Sequence, residues 1–173
     1  MGSISNIDSS QWRSYKASNQ SKVSSSATSK QIFRQNDADS KYIVRGKIRE
    51  SRDNDVLKNS GAIIIGLDTT GSMSDVLESV YKGLELCTEE IFKRVKTFDP
   101  QIMFAAIDDY ESMKWNGEDE CPALQVTQFE NDIRIVEQLT DLKETGRGAG
   151  NEKESYPLLW YFASRKTSID CWE

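Results

Sequence analysis

Three oxygen-bearing side chains follow an apolar run at a spacing of two residues. The run "AIIIGL" (62–67) ends at Asp68, and Thr70 and Ser72 come next, with Gly71 between them. A carboxylate and two hydroxyls that converge on one point form a hard donor set of low charge, which suits Mg²⁺, Mn²⁺ or Ca²⁺ and not zinc. A single carboxylate leaves such an ion electron-poor, so that it retains affinity for an acidic group from outside. The spacing therefore predicts a Mg²⁺ site, with Mn²⁺ or Ca²⁺ as alternatives.

Composition excludes several other kinds of site. The 173-residue chain has no histidine, which removes Ser-His-Asp and Cys-His nucleophile systems and every His-ligated zinc or iron site. Its three cysteines are too few and too scattered for a disulfide framework or a zinc knuckle, which favours a reduced, cytoplasmic setting. No run approaches the roughly 18–20 apolar residues of a membrane span, and the N-terminus lacks a signal-peptide core. We therefore expect no membrane association.

Charge is distributed unevenly along the chain. Residues 1–60 carry 11 Lys and Arg against 6 Asp and Glu, a net of +5, whereas residues 61–173 carry 11 against 22, a net of −11. A surface as acidic as the second part repels phosphate, so nucleic acid is not an expected partner. The same charge favours cations or basic partners.

The first 59 residues read as a flexible Ser-rich arm and a connector. Residues 1–40 are rich in Ser, Asn, Gln and Lys, and such a segment buries too little apolar surface to offset its ordering entropy, which predicts a disordered N-terminus. Residues 41–60 mix charge with a short apolar "YIV", which predicts a lead-in that lies on the surface.

From residue 60 onward, strand patterns and helix patterns alternate. This order predicts an α/β fold with a doubly wound, mostly parallel sheet and flanking helices, and with ligands at the carboxyl ends of the strands. Asp68 would then lie at the end of a central strand, and the aromatic residues near position 160 would belong to the core. The predicted elements are strands at 61–67, 101–107 and 123–129 (the last at an edge) and helices at 73–98, 132–142 and 156–166, with a loop at 143–155.

The stretch "IIIGLDTTGSMSDV" (63–76) resembles the first motif of von Willebrand factor A (VWA) domains, the metal-ion-dependent adhesion site. The family pattern Asp-x-Ser/Thr-x-Ser matches Asp68, Thr70 and Ser72. The stretch "MFAAIDDYES" (103–112) is similar to the second strand and loop of some members, which places Asp109 as a metal ligand and Tyr110 beside the partner.

The resemblance extends to two later segments. "ALQVTQFEND" (123–132) resembles the third, edge strand of the family and the start of the next helix. "GRGAGNEKESYPLLWYFA" (146–163) looks like the glycine-rich loop that supplies a further ligand, usually Thr. Asn151 matches that position best, and Glu154 is a second candidate that would contact the partner.

The resemblance implies a VWA-like (Rossmann-like) domain over residues 60–173, about the first two-thirds of the family fold. The last metal-site Asp and the C-terminal strands of the family would follow residue 173, so the fold is expected to be incomplete at its C-terminus. The implied function is divalent-cation-dependent binding of a protein partner that offers an acidic side chain to the ion. No enzymatic activity is expected, and the module could belong to a larger assembly.

Two other functions and one structural interpretation stay open. Asp-x-Thr-Gly-Ser also resembles the nucleophile motif of haloacid-dehalogenase-type phosphatases, in which Asp68 would attack phosphorus and Thr70 would help to hold phosphate and Mg²⁺. That family needs a Lys motif, which is not apparent, and a later acidic pair, for which Asp108 and Asp109 come too early. A metal-independent scaffold domain is the second alternative. The structural interpretation is helix capping by Ser72 and Asp68.

Overall fold

The computed structural model describes residues 13–14, 41–43, 46–53, 59–94, 97–109, 123–143 and 155–170. Within these ranges the chain has mixed α/β content, with a mostly parallel sheet and flanking helices. The predicted Ser-rich arm lies almost wholly outside the described residues. The elements are β1 (Arg49–Ser51), β2 (Ser60–Asp68), a short 3-10 helix (Gly71–Met73), α1 (Ser74–Arg94), β3 (Asp99–Ile107), β4 (Leu124–Val126), α2 (Arg134–Thr140), α3 (Tyr156–Arg165) and β5 (Thr167–Ile169).

The main sheet has the strand order β2-β3-β4. β2 and β3 run parallel over nine residue pairs, from Ser60 opposite Asp99 to Asp68 opposite Ile107. β3 and β4 run antiparallel over three pairs. A separate pair joins β1 and β5 in parallel. The parallel pairing brings the carboxyl ends of β2 and β3 to the same edge of the sheet, as the alternation of strands and helices predicts.

β3 forms the centre of the core because helices or strands cover both of its faces. Its even-numbered residues, such as Phe104, pack with side chains from α1, α2 and Tyr42. Its odd-numbered residues, such as Met103, pack with Phe162 of α3 and Ile169 of β5. This two-residue alternation is the side-chain period of a strand, and residues 102–107 are all apolar because neither face meets water there.

The helices follow their predicted positions with shorter bounds. The predicted end of the first helix near residue 98 is wrong, because α1 spans Ser74–Arg94 and Asp99-Pro100 already begin β3. Proline is tolerated at the start of a strand because its fixed φ is compatible with extended backbone. The residues predicted to face inward from α2 are all buried: Ile135, Val136, Leu139 and Leu142. Among the described residues, no helix has the length and apolarity needed to cross a bilayer.

Two glycines of β2 permit close approaches by neighbouring side chains. A Cβ on Gly61 would clash with the ring of Phe98. A Cβ on Gly66 would lie 2.6 Å from Cδ2 of Leu159, which is the residue of α3 that packs over the end of β2. Gly66 therefore lets α3 lie close to the strand that ends in Asp68.

Residues 41–43 and 46–53 take part in the fold, whereas the sequence pattern predicts a surface lead-in. Tyr42 is 2% exposed and belongs to the core cluster with α1 and α2. Arg49 is also buried, and its guanidinium donates hydrogen bonds to the carbonyl groups of Lys41 (2.7 Å) and Val126 (2.9 Å). Burial lowers the pKa of Arg49 from its ordinary value. The sequence pattern does not predict the contacts of Tyr42 with α1 and α2 or of Arg49 with Val126, because these residues lie far apart in the chain. The predicted division of the chain at residues 59 and 60 stays a prediction.

The prediction of an aromatic core around residue 160 is wrong for two of three residues. Phe162 is buried, but Trp160 is 74% exposed and Tyr161 is 60% exposed. The reason is geometric: α3 packs on the sheet through Leu159 and Phe162, which lie on one side of the helix. Residues 160 and 161 then point away from that side, since successive helical residues are about 100° apart.

Candidate metal centre

Asp68 is the last residue of β2, and the turn that follows it is tied to the end of β3. The backbone N–H of Thr69 donates to the carbonyl oxygen of Ile107 at 2.9 Å, and the Thr69 hydroxyl donates to the same oxygen at 3.0 Å. Thr69 and Thr70 are both buried. These contacts hold the start of the turn against the sheet, so the side chains that follow have a defined position relative to Asp68.

The side chains of Asp68, Thr70 and Ser72 meet in this turn, as their spacing predicts. Oδ1 of Asp68 accepts hydrogen bonds from the backbone N–H of Thr70 at 2.9 Å and from its hydroxyl at 2.6 Å. The hydroxyl oxygens of Thr70 and Ser72 lie 3.5 Å apart. A 3-10 helix at Gly71–Met73 turns the chain so that Ser72 comes back toward Thr70, and α1 begins directly after it.

The separations among these oxygens fit a small, hard cation. Two adjacent ligands of an octahedral Mg²⁺ with bonds of about 2.1 Å lie about 3 Å apart. The distances of 2.6 Å from Asp68 Oδ1 to Thr70 Oγ1 and 3.5 Å from Thr70 Oγ1 to Ser72 Oγ bracket this value.

The second carboxylate oxygen of Asp68 contacts α3. The hydroxyl of Tyr156, the first residue of α3, donates a hydrogen bond to Oδ2 of Asp68 at 2.8 Å. Sequence reasoning missed this residue. Pro157 is typical of the first turn of a helix, but a contact between residues 88 positions apart has no local signal. Tyr156 therefore links the turn after β2 to the helix that covers the other face of the sheet.

The end of β3 contributes two further carboxylates beside this turn. Asp108 and Asp109 are both buried, and the backbone N–H of Asp109 donates to Oδ1 of Asp108 at 2.7 Å. The backbone N–H of Asp108 donates to the carbonyl oxygen of Ala123, which precedes β4. Since Ile107 lies opposite Asp68 in the register, Asp109 lies at the same end of the sheet, one strand away.

The other predicted site residues lie outside the described part of the chain: Tyr110, Asn151 and Glu154. Within the described part, no three His, Cys, Asp or Glu side chains gather into a group that could hold a metal ion. The set around Asp68 is of a different kind, because it combines one carboxylate with two hydroxyls. Its fit to a cation depends on hard neutral oxygens, which Mg²⁺ and Ca²⁺ accept.

Comparisons with known proteins assign no family to the chain. No protein-family model, no curated protein and no solved structure matches it. The resemblance of residues 63–76 to the VWA metal motif thus stays a prediction. Function has to be inferred from the residues around Asp68 and from their geometry.

Proposed function

We propose that this chain is a divalent-cation-dependent protein-binding module. The observation that carries the proposal is the cluster of Asp68, Thr70 and Ser72 oxygens where β2 meets α1. These three side chains would hold Mg²⁺, or Mn²⁺ or Ca²⁺ in its place. The bound ion would supply the positive charge that an acidic side chain of the protein partner neutralises. Asp68, Thr70 and Ser72 would orient that ion, and the acidic partner group would complete the coordination.

We propose further that the fold is VWA-like. The antiparallel β4 lies at one side of a sheet whose other two strands are parallel, which agrees with the resemblance of residues 123–132 to a third, edge strand. In this proposal Asp109 adds an acceptor at the end of β3, and Asn151 supplies the loop ligand. Tyr110 and Glu154 would contact the partner. The setting would be cytoplasmic, the module could act within a larger assembly, and neither nucleic acid nor a membrane would be a partner.

The contacts of Asp68 fix the orientation of its carboxylate. Oδ1 of Asp68 accepts two hydrogen bonds from Thr70, and Oδ2 accepts one from Tyr156. Donors on both oxygens hold the carboxylate in one position, which a metal ligand requires. The phosphatase alternative also needs a Lys motif, which the sequence does not show.

The proposal is tested by titrating MgCl₂ into the metal-free chain and measuring the heat of binding. We expect saturable binding by the natural chain and none by Asp68→Ala. Asp132→Ala is the matched control, because it removes the same charge from a half-buried position in a turn where the carboxylate contacts Arg134. Bound Mg²⁺ should also raise the free energy of unfolding, by about 2.7 kcal/mol at one hundred times the Kd.

Three outcomes would change the assignment. Normal Mg²⁺ binding by Asp68→Ala would show that the cluster is not the site. Release of phosphate from p-nitrophenyl phosphate by the natural chain, lost in Asp68→Asn, would favour the phosphatase alternative. Absence of cation binding by the natural chain, with normal folding, would favour a metal-independent scaffold domain.

A further inference from the structure

The outer side of α3 exposes large apolar side chains. Trp160 is 74% exposed and Tyr161 is 60% exposed, and two further residues of the helix, Tyr156 and Leu158, are also exposed. Large apolar side chains that are exposed together on one short helix indicate a binding surface, whereas apolar side chains scattered singly over a surface do not. We call these four residues the α3 face.

The α3 face has no role in the packing of the described core. The helix contacts the sheet through Leu159 and Phe162, and these two residues account for its contribution to the core cluster. Tyr156 and Trp160 are four residues apart and therefore neighbours along the helix, with Tyr161 beside them. Trp and Tyr contribute large contact areas with little loss of conformational entropy, which is why they dominate binding hot spots.

The α3 face is continuous with the candidate metal centre. Tyr156 belongs to both, since its ring lies at the start of α3 and its hydroxyl donates to Oδ2 of Asp68 at 2.8 Å. A ligand that reaches the cation at Asp68 would therefore also meet the first turn of α3. The remaining aromatic residues extend from there along the helix.

The charge of this segment is opposite to that of its surroundings. Residues 61–173 carry a net charge of −11, yet between Ser155 and Ser168 the charged residues are Arg165 and Lys166, with no Asp or Glu. Arg165 lies in the last turn of α3, about 14 Å along the helix axis from Tyr156. One end of the α3 face thus borders the cation site and the other end borders two basic side chains, and both ends favour carboxylates.

We propose that the α3 face docks an acidic segment of a partner protein, with apolar side chains between two carboxylates. One carboxylate meets the cation at Asp68, the apolar side chains pack on Trp160 and Tyr161, and the second carboxylate meets Arg165 and Lys166. The inference rests on the proposed cation site for its first contact only. The two ends are about 14 Å apart along the axis and half a turn apart around it, because nine helical residues rotate through about 900°. A segment that crosses the helix obliquely over Trp160 and Tyr161 therefore needs roughly five to seven residues of extended chain. The recognised chemistry is therefore a short acidic and apolar segment.

The test is a selection from a random peptide library displayed on phage, with the whole chain immobilised in buffer that contains MgCl₂. We expect enriched peptides that combine Asp or Glu with Leu, Phe or Trp. The affinity of the enriched peptide is then measured by fluorescence polarisation. The double variant Trp160→Ser/Tyr161→Ser should lose affinity at least about tenfold, as expected when hot-spot aromatics are removed.

Leu86→Ser is the matched control, because Leu86 is 60% exposed on α1 and lies outside the α3 face. It should bind the peptide as the natural chain does. Circular dichroism of both variants verifies that they fold, which their exposed positions favour. Failure to enrich any peptide, enrichment of peptides without acidic residues, or unchanged affinity of the double variant would each overturn the proposal.

EDTA and Asp68→Ala separate this inference from the proposed function. Loss of peptide binding on both EDTA addition and substitution of the α3 face supports the two together. Binding that survives EDTA and Asp68→Ala but needs Trp160 and Tyr161 supports the α3 face and contradicts the cation requirement. Binding that needs Mg²⁺ but not the two aromatic residues retains the cation site and overturns the α3 face.

Discussion

The carboxylate of Asp68 is shared between a local turn and a distant helix. Oδ1 accepts from Thr70, two residues away, and Oδ2 accepts from Tyr156, 88 residues away. The first contact follows from the sequence, because an Asp readily accepts from the backbone two residues on. The second exists only because the folded chain brings α3 beside the end of β2. The orientation of the carboxylate therefore depends on both.

Tyr156→Phe should lower the free energy of unfolding by about 1 kcal/mol, because it removes a hydrogen bond to a charged acceptor at a partly exposed site. Tyr161→Phe is the matched control on the same helix, since its side chain is exposed. Urea denaturation monitored by circular dichroism measures both values. Equal stability of the two variants would show that the contact between Tyr156 and Asp68 does not stabilise the fold.

Tyr42 makes the stability of the fold sensitive to alkaline pH. Burial, with a further contribution from Asp141, raises the pKa of its phenol to about 12, from an ordinary value of 10.0. The folded state thus binds this proton more tightly than the unfolded state does. The contribution of the protonated phenol to the free energy of unfolding is therefore fully present below pH 10. It is lost as the pH rises toward 12, by up to about 2–3 kcal/mol.

Tyr42→Phe should reduce this pH dependence, because the ring remains while the titrating group is removed. Urea denaturation of the natural chain and the variant between pH 10 and pH 12 measures the difference in slope. The exposed substitution Tyr161→Phe should leave the slope unchanged. A slope for Tyr42→Phe that equals that of the natural chain would show that Tyr42 is not the group responsible.

At the scale of elements, β2 has one paired side and one open side among the described strands. The backbone N–H of Asp99 donates to Asn59, and that of Thr69 donates to Ile107. In a parallel ladder these two bonds mean that the backbone N–H and C=O groups of the odd-numbered residues of β2 form the hydrogen bonds to β3. The even-numbered residues then direct their backbone groups outward, and the first of these, Ser60, donates its N–H to the carboxylate of Asp53. The even-numbered residues between Ser60 and Asp68 are all uncharged.

We expect β2 to pair with a further strand along this open side, which makes the chain self-associate as its concentration rises. Ala62→Pro should weaken the association, because it removes an outward N–H and leaves the bonds to β3 in place. Ile63→Pro removes an N–H that the ladder uses, so it should abolish cooperative unfolding. Sedimentation velocity and circular dichroism measure these two effects. Undiminished association of folded Ala62→Pro would show that another surface is responsible.

The elements themselves were largely predictable, and their partners were not. The apolar run at 101–107 and the periodic helix at 132–142 have strong local patterns, and both form as β3 and α2. Residues 167–169 carry no such pattern, and they become β5 because β1 pairs with them. The burial of Phe162 and exposure of Trp160 depend on which side of α3 meets the sheet, which composition alone does not specify.

At the scale of the whole molecule, the segment before β2 is joined to the core by long-range contacts. Tyr42 donates a hydrogen bond to Asp141 at 3.0 Å, Arg49 bonds to Val126, and Ile43 forms an antiparallel bridge with Gln125 of β4. These contacts cover the outer side of β4. Together with the pairing of β1 and β5, they make residues 41–43 and 46–53 part of the folded unit that holds the candidate site.

A fragment of residues 60–173, the predicted domain, should therefore be less stable than a fragment of residues 41–173. The loss should be at least about 3 kcal/mol, because deletion of the buried aromatic Tyr42 alone costs that much. Urea denaturation of the two fragments under the same conditions measures the difference. Equal stability would place the boundary at residue 60, as the sequence pattern predicts.

The sequence by itself determined the local chemistry: the spacing of Asp68, Thr70 and Ser72 after an apolar strand brings their oxygens into one turn. It also determined the alternation of strands and helices, since side-chain periodicity is a local property. Only the tertiary structure decided that Tyr156 reaches Asp68, that Tyr42 enters the core and that Trp160 faces outward. Each of these depends on how separate elements pack, and packing is set by the sum of many weak contacts between residues far apart in the chain.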